Sequence, residues 1–440
     1  MKDYFFDVSK LLFGQISETE TLILNFDAEI GDYVRFNHSK IRQVGHVKQI
    51  TLTLNLIQNR KTLTSIIRLN GNLKKDTKLI ENTLNFLRRE LPELPSDPYL
   101  MYSKKKHSTE KLIEMEKLNN KNIVDKIVDD FSKLDMVGIL SSGYVYKGFS
   151  NSFGQTNWHE NQSFNFDWSV YTKSGQAIKQ NYSDTRWNDD IFKKLLEEGK
   201  QKLIALEYKE IIIKPNKYKV YLSPQALSEV LEMLCWGGFS YKAHKIGTSP
   251  LHLMSKGETK LNKIVTISEN LSKGMTPNFH REGFIKPDKT SFIISGDYKK
   301  SLISPRSALE YSIKHNGAEY HESPVAIDIE PGNIRENEIL KSLKDGIYIS
   351  NLWYLNFSDR NKARITGLTR FGCFKVGGGE YQGPINVMRF DETIYNILGE
   401  NLLGLTDSQQ LLMDCSTYEE RSTFSTFLPG ALVDGFEMTL

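Results

Sequence analysis

An alternating run of apolar and polar residues near the N-terminus constrains the fold most. In "ITLTLNL" four apolar residues alternate with threonine or asparagine: Ile50, Leu52, Leu54 and Leu56. A period of two is typical of a β-strand with one buried face. The next residues, "IQNRK", predict a turn, and "TLTSIIRL" predicts the partner strand. The first part of the chain is therefore expected to contain an antiparallel sheet.

Helices are predicted around this sheet from apolar residues spaced three or four apart. One covers "DTKLIENTLNFLRREL" and ends before Pro92; the others lie near 120–134 and 188–206. The residues predicted to face the core are Leu79, Thr83, Phe86 and Leu87 in the first helix, Ile123, Ile127 and Phe131 in the second, and Ile191, Leu195 and Leu203 in the third.

After about residue 257 the sequence has mainly short β-segments separated by turns. Together these patterns predict an α+β fold with two domains. The N-terminal α/β half, with an antiparallel sheet and helices, is assigned to 1–220, and the C-terminal β-rich half to 221–440. The break is expected near 215–225.

The segment "SPQALSEVLEMLCWGG" predicts a short helix at the start of the second half. Ser223 is a favourable N-cap and Pro224 suits the first helical position. Leu227, Val230, Leu231 and Leu234 form an apolar stripe, and the Gly237–Gly238 pair ends the helix, with one glycine left-handed. Cys235 and Trp236 are predicted to be core residues. Glu229 and Glu232 could serve acid–base or metal chemistry, but a solvated helix face is expected.

Charge and cysteine usage limit the functional classes. The chain carries 57 basic and 54 acidic residues, a formal charge of +3, so nucleic-acid and membrane partners are not expected. Its three cysteines are far apart and form no C-x-x-C pair, which favours a reducing compartment. No signal-peptide pattern is present at the N-terminus, and a cytoplasmic protein is expected.

Four further segments form a recognisable set: "YVRFNHSKIRQVGHVKQITLTLNL", "SNSFG", "NFHREGFIKPDKTSFIISGDYKKSLISPRSA" and, most specifically, "GIYISNLWYLNFSDRNKARITGLTRFGCFKVGGGEYQGPINVMRF". These segments resemble the TldD/PmbA family, and are closer to its PmbA (TldE) branch. The resemblance covers most of the chain and is strongest after residue 220. It implies two-domain chains that pair. In the TldD branch a His-Glu-x-x-x-His motif and a distant Cys bind zinc, and the enzyme cleaves unfolded peptides. The PmbA branch lacks this motif.

The resemblance places Glu232, Met233 and Gly237 at the three motif positions, when Gly247-Thr248-Ser249 is aligned. A zinc peptidase needs imidazole ligands and a carboxylate that takes a proton from water. Methionine and glycine can do neither. No catalytic or metal-binding residue is therefore predicted in this chain, and Cys373 is not expected to be the zinc cysteine.

Three functional hypotheses remain open. The first is a non-catalytic, PmbA (TldE)-like subunit that pairs with a TldD-like zinc peptidase acting on unfolded peptides, with the zinc held by the partner. The second is a stand-alone peptide-binding or scaffold protein, perhaps homodimeric. The third is an enzyme of different chemistry. The candidate peptide-channel residues are Glu232, His244, His280 and Glu282, and the sequence does not say whether they converge.

Overall fold

The computed structural model describes residues 1–114 and 120–440. Within these residues the strands form sheets of seven, six and seven strands. The first sheet belongs to the N-terminal half and the other two to the C-terminal half. Helices and strands are mixed and most strand pairs are antiparallel, so the predicted α+β class is confirmed.

The N-terminal sheet is built around long antiparallel strands. Its strands are β1 (Thr21–Asn37), β2 (Lys40–Gln58), β3 (Lys61–Arg68), β4 (Thr109–Ile113), β5 (Asp135–Asn151), β6 (Thr156–Tyr171) and β7 (Ala177–Asp184), in the order β3-β2-β1-β5-β6-β4 with β7 also paired to β6. The predicted hairpin is β2 and β3, in which Leu52 lies opposite Ile67. Asn59 and Arg60 make its turn with φ values of 52° and 61°, the backbone that suits a tight hairpin.

The helices of this half are α1 (Lys2–Phe13), α2 (Leu73–Glu90), α3 (Asn120–Asp130) and α4 (Asp189–Leu206). In α3 the predicted core face is confirmed. In α2 the predicted face is wrong in part, because Leu79 and Phe86 are 43% and 45% exposed. The buried stripe instead runs through Ile80, Leu84 and Leu87. Helix α4 is also rotated: its core face contains Phe192 and Leu196, and Ile191 is exposed.

The C-terminal half contains shorter elements. They are β8 (Asn216–Leu222), α5 (Pro224–Cys235), α6 (Tyr241–Lys245), α7 (His252–Ser255), β9 (Ile267–Asn270), β10 (Lys289–Ile294), β11 (Asp297–Tyr298), α8 (Pro305–Tyr311), β12 (Ala326–Ile329), α9 (Ile339–Leu343), β13 (Gly346–Asp359), β14 (Arg364–Gly377), β15 (Glu380–Pro384), β16 (Arg389–Thr393), β17 (Leu402–Leu405), β18 (Gln410–Met413), β19 (Ser425–Leu428) and β20 (Ala431–Met438). Single helical turns span Leu91–Glu93, Glu336–Glu338, Arg360–Lys362 and Asn396–Glu400.

One C-terminal sheet closes on itself. Its strands pair in the order β13-β8-β20-β16-β14, and β14 pairs back to β13. The six-stranded sheet has the order β11-β10-β9-β12-β19-β18, so β18 is a terminal strand of that sheet. Helix α5 packs against β13 and β19. It therefore lies between the closed sheet and the open one, next to the end strand of the latter.

The two halves share an apolar core. Phe166, Trp168 and Phe192 of the first half are in the same buried cluster as Tyr348 and Phe374 of the second. The predicted boundary between residues 220 and 221 falls within β8 and stays a prediction. No helix in the described residues combines the length and the hydropathy that a membrane span requires.

Candidate functional site

Helix α5 begins and ends where the sequence predicts, because local chemistry fixes both ends. The Ser223 hydroxyl accepts a hydrogen bond from the backbone N–H of Ala226 at 3.2 Å, and Pro224 takes the first helical position. The predicted stripe is buried at Leu227, Val230, Leu231 and Leu234. Gly237 has φ = 90°, a left-handed backbone that residues with a Cβ rarely adopt. The chain therefore turns away from the helix axis at this residue.

The three motif positions point to different environments. Glu232 is exposed on the outer face of α5, whereas Met233 is only 2% exposed and lies in the core. Gly237 contributes no side chain. The prediction for Trp236 is wrong, because its indole is half exposed (50%), while Cys235 is buried as expected.

An arginine lies against the turn that follows α5. The Arg360 Nε donates a hydrogen bond to the carbonyl of Thr248 at 2.7 Å, and its Nη2 donates to the carbonyl of Trp236. A Cβ at Gly237 would be 3.2 Å from that Nη2. The space where a side chain at 237 would start is therefore bordered by a guanidinium group.

Two cavities run along the outer face of α5. The α5 pocket, of about 490 Å³, is lined by residues that include Leu231, Glu232, Trp236, Ile327, Met413 and Asp414. The β7 pocket, of about 470 Å³, is lined by residues that include Asp167, Lys179, Glu229, Trp353, Arg370 and Cys415. Ser228, Leu412, Met413 and Asp414 line both cavities. The two pockets therefore adjoin beside α5 and the end strand β18.

The electrostatics differ between the two carboxylates of α5. Burial, followed by the negative charge of Glu232, raises the pKa of Glu229 to about 7, although Lys179 opposes the shift. Lys179 is itself paired with Asp167 at 3.3 Å. Glu229 is thus half-buried rather than solvated, which corrects the expectation for this residue, while Glu232 is solvated as expected.

His244 supports the turn after α5. It lies on the short helix α6 and is half-buried. Its Nε2 is 2.9 Å from the carbonyl oxygen of Gly238 and 2.7 Å from the Tyr298 hydroxyl. Burial lowers the pKa of this imidazole to about 4, so it is neutral at pH 7. Its contacts hold the backbone in place, and it is not among the residues lining either pocket beside α5.

His280 and Glu282 lie together but away from α5. The His280 Nδ1 is 2.6 Å from Glu282 Oε2, and both residues line a third cavity, of about 270 Å³, with Tyr99 and Tyr102. Burial, the largest single influence, opposes ionisation of Glu282, but the hydrogen bond and the charge of His280, a backbone hydrogen bond and the charge of Arg281 together outweigh burial and lower the pKa of Glu282. The structure therefore brings these two candidates together and leaves Glu232 and His244 in separate environments.

Comparison with protein families gives these observations a context. Residues 215–440, more than half of the chain, match the model of the PmbA/TldA metallopeptidase C-terminal domain. The chain belongs to the TldD/PmbA family. No curated protein sequence matches it.

Solved structures of TldD/PmbA type share the whole fold. A protein from Thermotoga maritima, described as a candidate modulator of a DNA gyrase, covers 99% of this chain and 100% of its own length with a TM-score of 0.76 at 16% identity. TldE from Thermococcus kodakarensis covers 100% of both chains with a TM-score of 0.74 at 14% identity. A Bacteroides thetaiotaomicron protein, also described as a candidate gyrase modulator, covers 100% of this chain and 98% of its own, with a TM-score of 0.73 at 14% identity.

The residues that the resemblance places at the motif positions do not fit a zinc ion. Glu232 offers one carboxylate, Met233 points into the core, and Gly237 has no ligand atom beyond its backbone. Cys373 is buried, which raises the pKa of its thiol, and its Sγ lies 3.4 Å from the carbonyl oxygen of Arg370. In the part of the chain that the structure describes, no three His, Cys, Asp or Glu side chains are grouped to hold a metal.

Two residues of the site escaped the sequence analysis. Asp414 reaches the α5 pocket from the segment after β18, and Arg360 reaches the turn at Gly237 from beyond β13. Both are far from α5 in sequence, and no local motif marks either of them. The pairing of β18 with β19 and the course of β13 place them there.

Proposed function

We propose that this chain is a PmbA (TldE)-like subunit of a TldD/TldE-type metallopeptidase complex and does not itself catalyse hydrolysis. The observation that carries the proposal is which residues occupy the three motif positions on and after α5. On the scaffold of a metallopeptidase family, the three motif positions hold Glu232, Met233 and Gly237, and the guanidinium of Arg360 borders the third. A zinc-bearing TldD-like partner would supply the metal, and we expect the pair to act in the cytoplasm on unfolded peptides.

This subunit would contribute a surface for the peptide. Two adjoining pockets lie beside α5, and residues of β18, Leu412 and Met413, line both of them. The outer edge of β18 packs against β7, and Asn165 donates to the carbonyl of Met413, so we expect an extended peptide to lie along the two pockets rather than to add a strand to β18. Its backbone would be recognised there. Backbone recognition suits a substrate that is unfolded and variable in sequence.

Reconstitution tests the proposal. The purified chain is assayed for bound zinc and for hydrolysis of casein, first alone and then mixed with the TldD-like protein of the same organism. We expect no stoichiometric zinc and no hydrolysis from the chain alone, and hydrolysis that exceeds the partner's own rate in the mixture. Chelator-sensitive hydrolysis by the chain alone would refute the proposal.

A stand-alone peptide-binding or scaffold protein is the alternative, and it too has an observation in its favour. The two pockets lie side by side along α5 and share four lining residues, so this face could hold an extended peptide whether or not a partner is bound. Sedimentation of the chain with and without the TldD-like protein separates the two functions. A stable homodimer that does not bind the TldD-like protein favours the alternative function. A complex that contains both proteins favours the subunit function.

A further inference from the structure

We propose that the α5 pocket binds the long basic side chain of an unfolded peptide, a lysine or an arginine, with Glu232 and Asp414 at its cationic end. This inference rests on the proposed function, since it names the kind of peptide that the subunit would hold. It concerns this cavity alone and not the neighbouring β7 pocket.

The apolar part of the pocket matches the stem of such a side chain. Leu231, Ile327 and Leu412 line it together with Met413 and Phe424. Lysine and arginine bury their methylene stems against apolar surface while the charged end remains hydrated. The volume of about 490 Å³ is within the ordinary range for ligand pockets, so a long side chain and adjoining backbone can be accommodated.

The charged part of the pocket is entirely acidic. Glu232 and Asp414 contribute carboxylates, and among the described residues that line this cavity none is basic. Glu232 is exposed and has no hydrogen-bond or ion-pair partner within residues 1–114 and 120–440, whereas Asp414 Oδ1 accepts one hydrogen bond, from the backbone N–H of Ser416 at 2.9 Å. A carboxylate without an internal partner is available to a cation from outside.

Trp236 adds a third attractive group. Its indole lines the same cavity and is half exposed, although the preceding residue is buried. The face of a tryptophan attracts ammonium and guanidinium groups. An exposed indole next to two carboxylates therefore favours a cation over a neutral or acidic side chain.

The neighbouring β7 pocket shares Asp414 with the α5 pocket but differs from it in containing basic residues. There Lys179 is paired with Asp167 at 3.3 Å, and the Arg370 guanidinium lies 4.2 Å from the centre of the Trp353 ring. The β7 pocket thus has its own cations against its acidic and aromatic groups. The α5 pocket has the same kinds of group without a cation, so a basic side chain of the peptide is its complement.

The test compares peptides that differ only at their central residue. Three extended peptides of the same length, with blocked ends, carry lysine, Nε-acetyllysine or glutamate at the centre, and fluorescence anisotropy measures their affinity for the full-length chain. Acetylation retains the stem and removes the charge. We expect the lysine peptide to bind about tenfold more tightly than the acetyllysine peptide at low salt, and the glutamate peptide to bind weakest.

Variants locate the preference. Glu232→Gln and Asp414→Asn should each reduce the ratio between the lysine and acetyllysine peptides severalfold. Glu197→Gln, an exposed glutamate on α4, is the matched control and should leave it unchanged. Equal affinities for the three peptides would overturn this inference and leave peptide binding intact. Absence of binding by all three would overturn peptide holding as well, and a lysine preference that survives both pocket variants would place the cation elsewhere.

Discussion

Two carboxyl groups on α5 show how strongly the position of a residue on a helix affects its burial and its pKa. Glu229 and Glu232 are one turn apart, yet Glu232 is exposed whereas burial and the charge of Glu232 raise the pKa of Glu229 to about 7. Lys179 opposes the shift and is itself paired with Asp167, and Arg370 and Asp414 line the same pocket as Glu229. Glu229 is therefore a group that titrates near neutral pH on the folded chain.

Replacing Glu229 by glutamine should change how stability depends on pH. Its folded pKa is raised above the ordinary 4.5, so the folded state binds the proton more tightly than the unfolded state. Its contribution to stability is then full below pH 4.5 and is lost as pH rises to about 7. Glu229→Gln should remove this decline, making the variant ~1–3 kcal/mol more stable than the parent at pH 8.

Urea unfolding at pH 5 and pH 8 measures the free energy of unfolding of Glu229→Gln and of the parent, with Glu197→Gln as the control on an exposed helix face. The control should have the same free energy of unfolding as the parent at both pH values. If Glu229→Gln and the parent lose the same stability between pH 5 and pH 8, Glu229 is not the group that titrates.

At the scale of the element, α5 shows which features of a helix can be predicted from its own sequence. Its N-cap, its first-turn proline, its apolar stripe and its terminal glycine are local features, and all are found as predicted. The predictions of which faces of α2 and α4 are buried were wrong in part, because both helices carry apolar residues on more than one side. Which side meets the sheet depends on tertiary packing. Asp414 and Arg360 were missed for the same reason, since only the folded chain brings them to α5.

The end of α5 yields a second prediction. Gly237 and Gly175 have almost the same φ, 90° and 87°, but a Cβ at 175 would meet nothing within 4 Å whereas one at 237 would meet Arg360. Alanine at either position should cost ~1–2 kcal/mol for the left-handed backbone. Gly237→Ala should cost roughly 1 kcal/mol more, because Arg360 must move away from its carbonyl partners.

Denaturant unfolding of the two alanine variants, in the parent and in an Arg360→Ala background, forms a double-mutant cycle. The extra cost at 237 should disappear when Arg360 is absent. An extra cost that persists without Arg360 would assign the strain to another neighbour, such as Ala243.

At the scale of the molecule, the two halves are joined by more than a linker. Aromatic residues of the N-terminal sheet and of β13 and β14 share one buried cluster. The predicted boundary at 220/221 cuts β8, which pairs with both β13 and β20 in the closed sheet. Removing the first five residues of β8 should therefore destabilise the closed sheet.

Two fragments test where the second unit begins. Residues 215–440 retain β8, while residues 221–440 lose most of it, and both leave the same face of the N-terminal half uncovered. We expect the 215–440 fragment to unfold at a clearly higher urea concentration, because Val220 pairs with Ile347 on one side and Val433 on the other. Equal midpoints would support the boundary at 220/221.

The guanidinium beside Gly237 also bears on what this chain could evolve into. A zinc-binding descendant would need new side chains at 232, 233 and 237, one of which must replace a buried methionine and another a left-handed glycine that faces Arg360. The changes at 233 and 237 would each lower stability, and no single one of the three changes would complete a set of zinc ligands. Restoring a metal site at this helix would therefore require several coordinated substitutions, including one that displaces Arg360 from the turn.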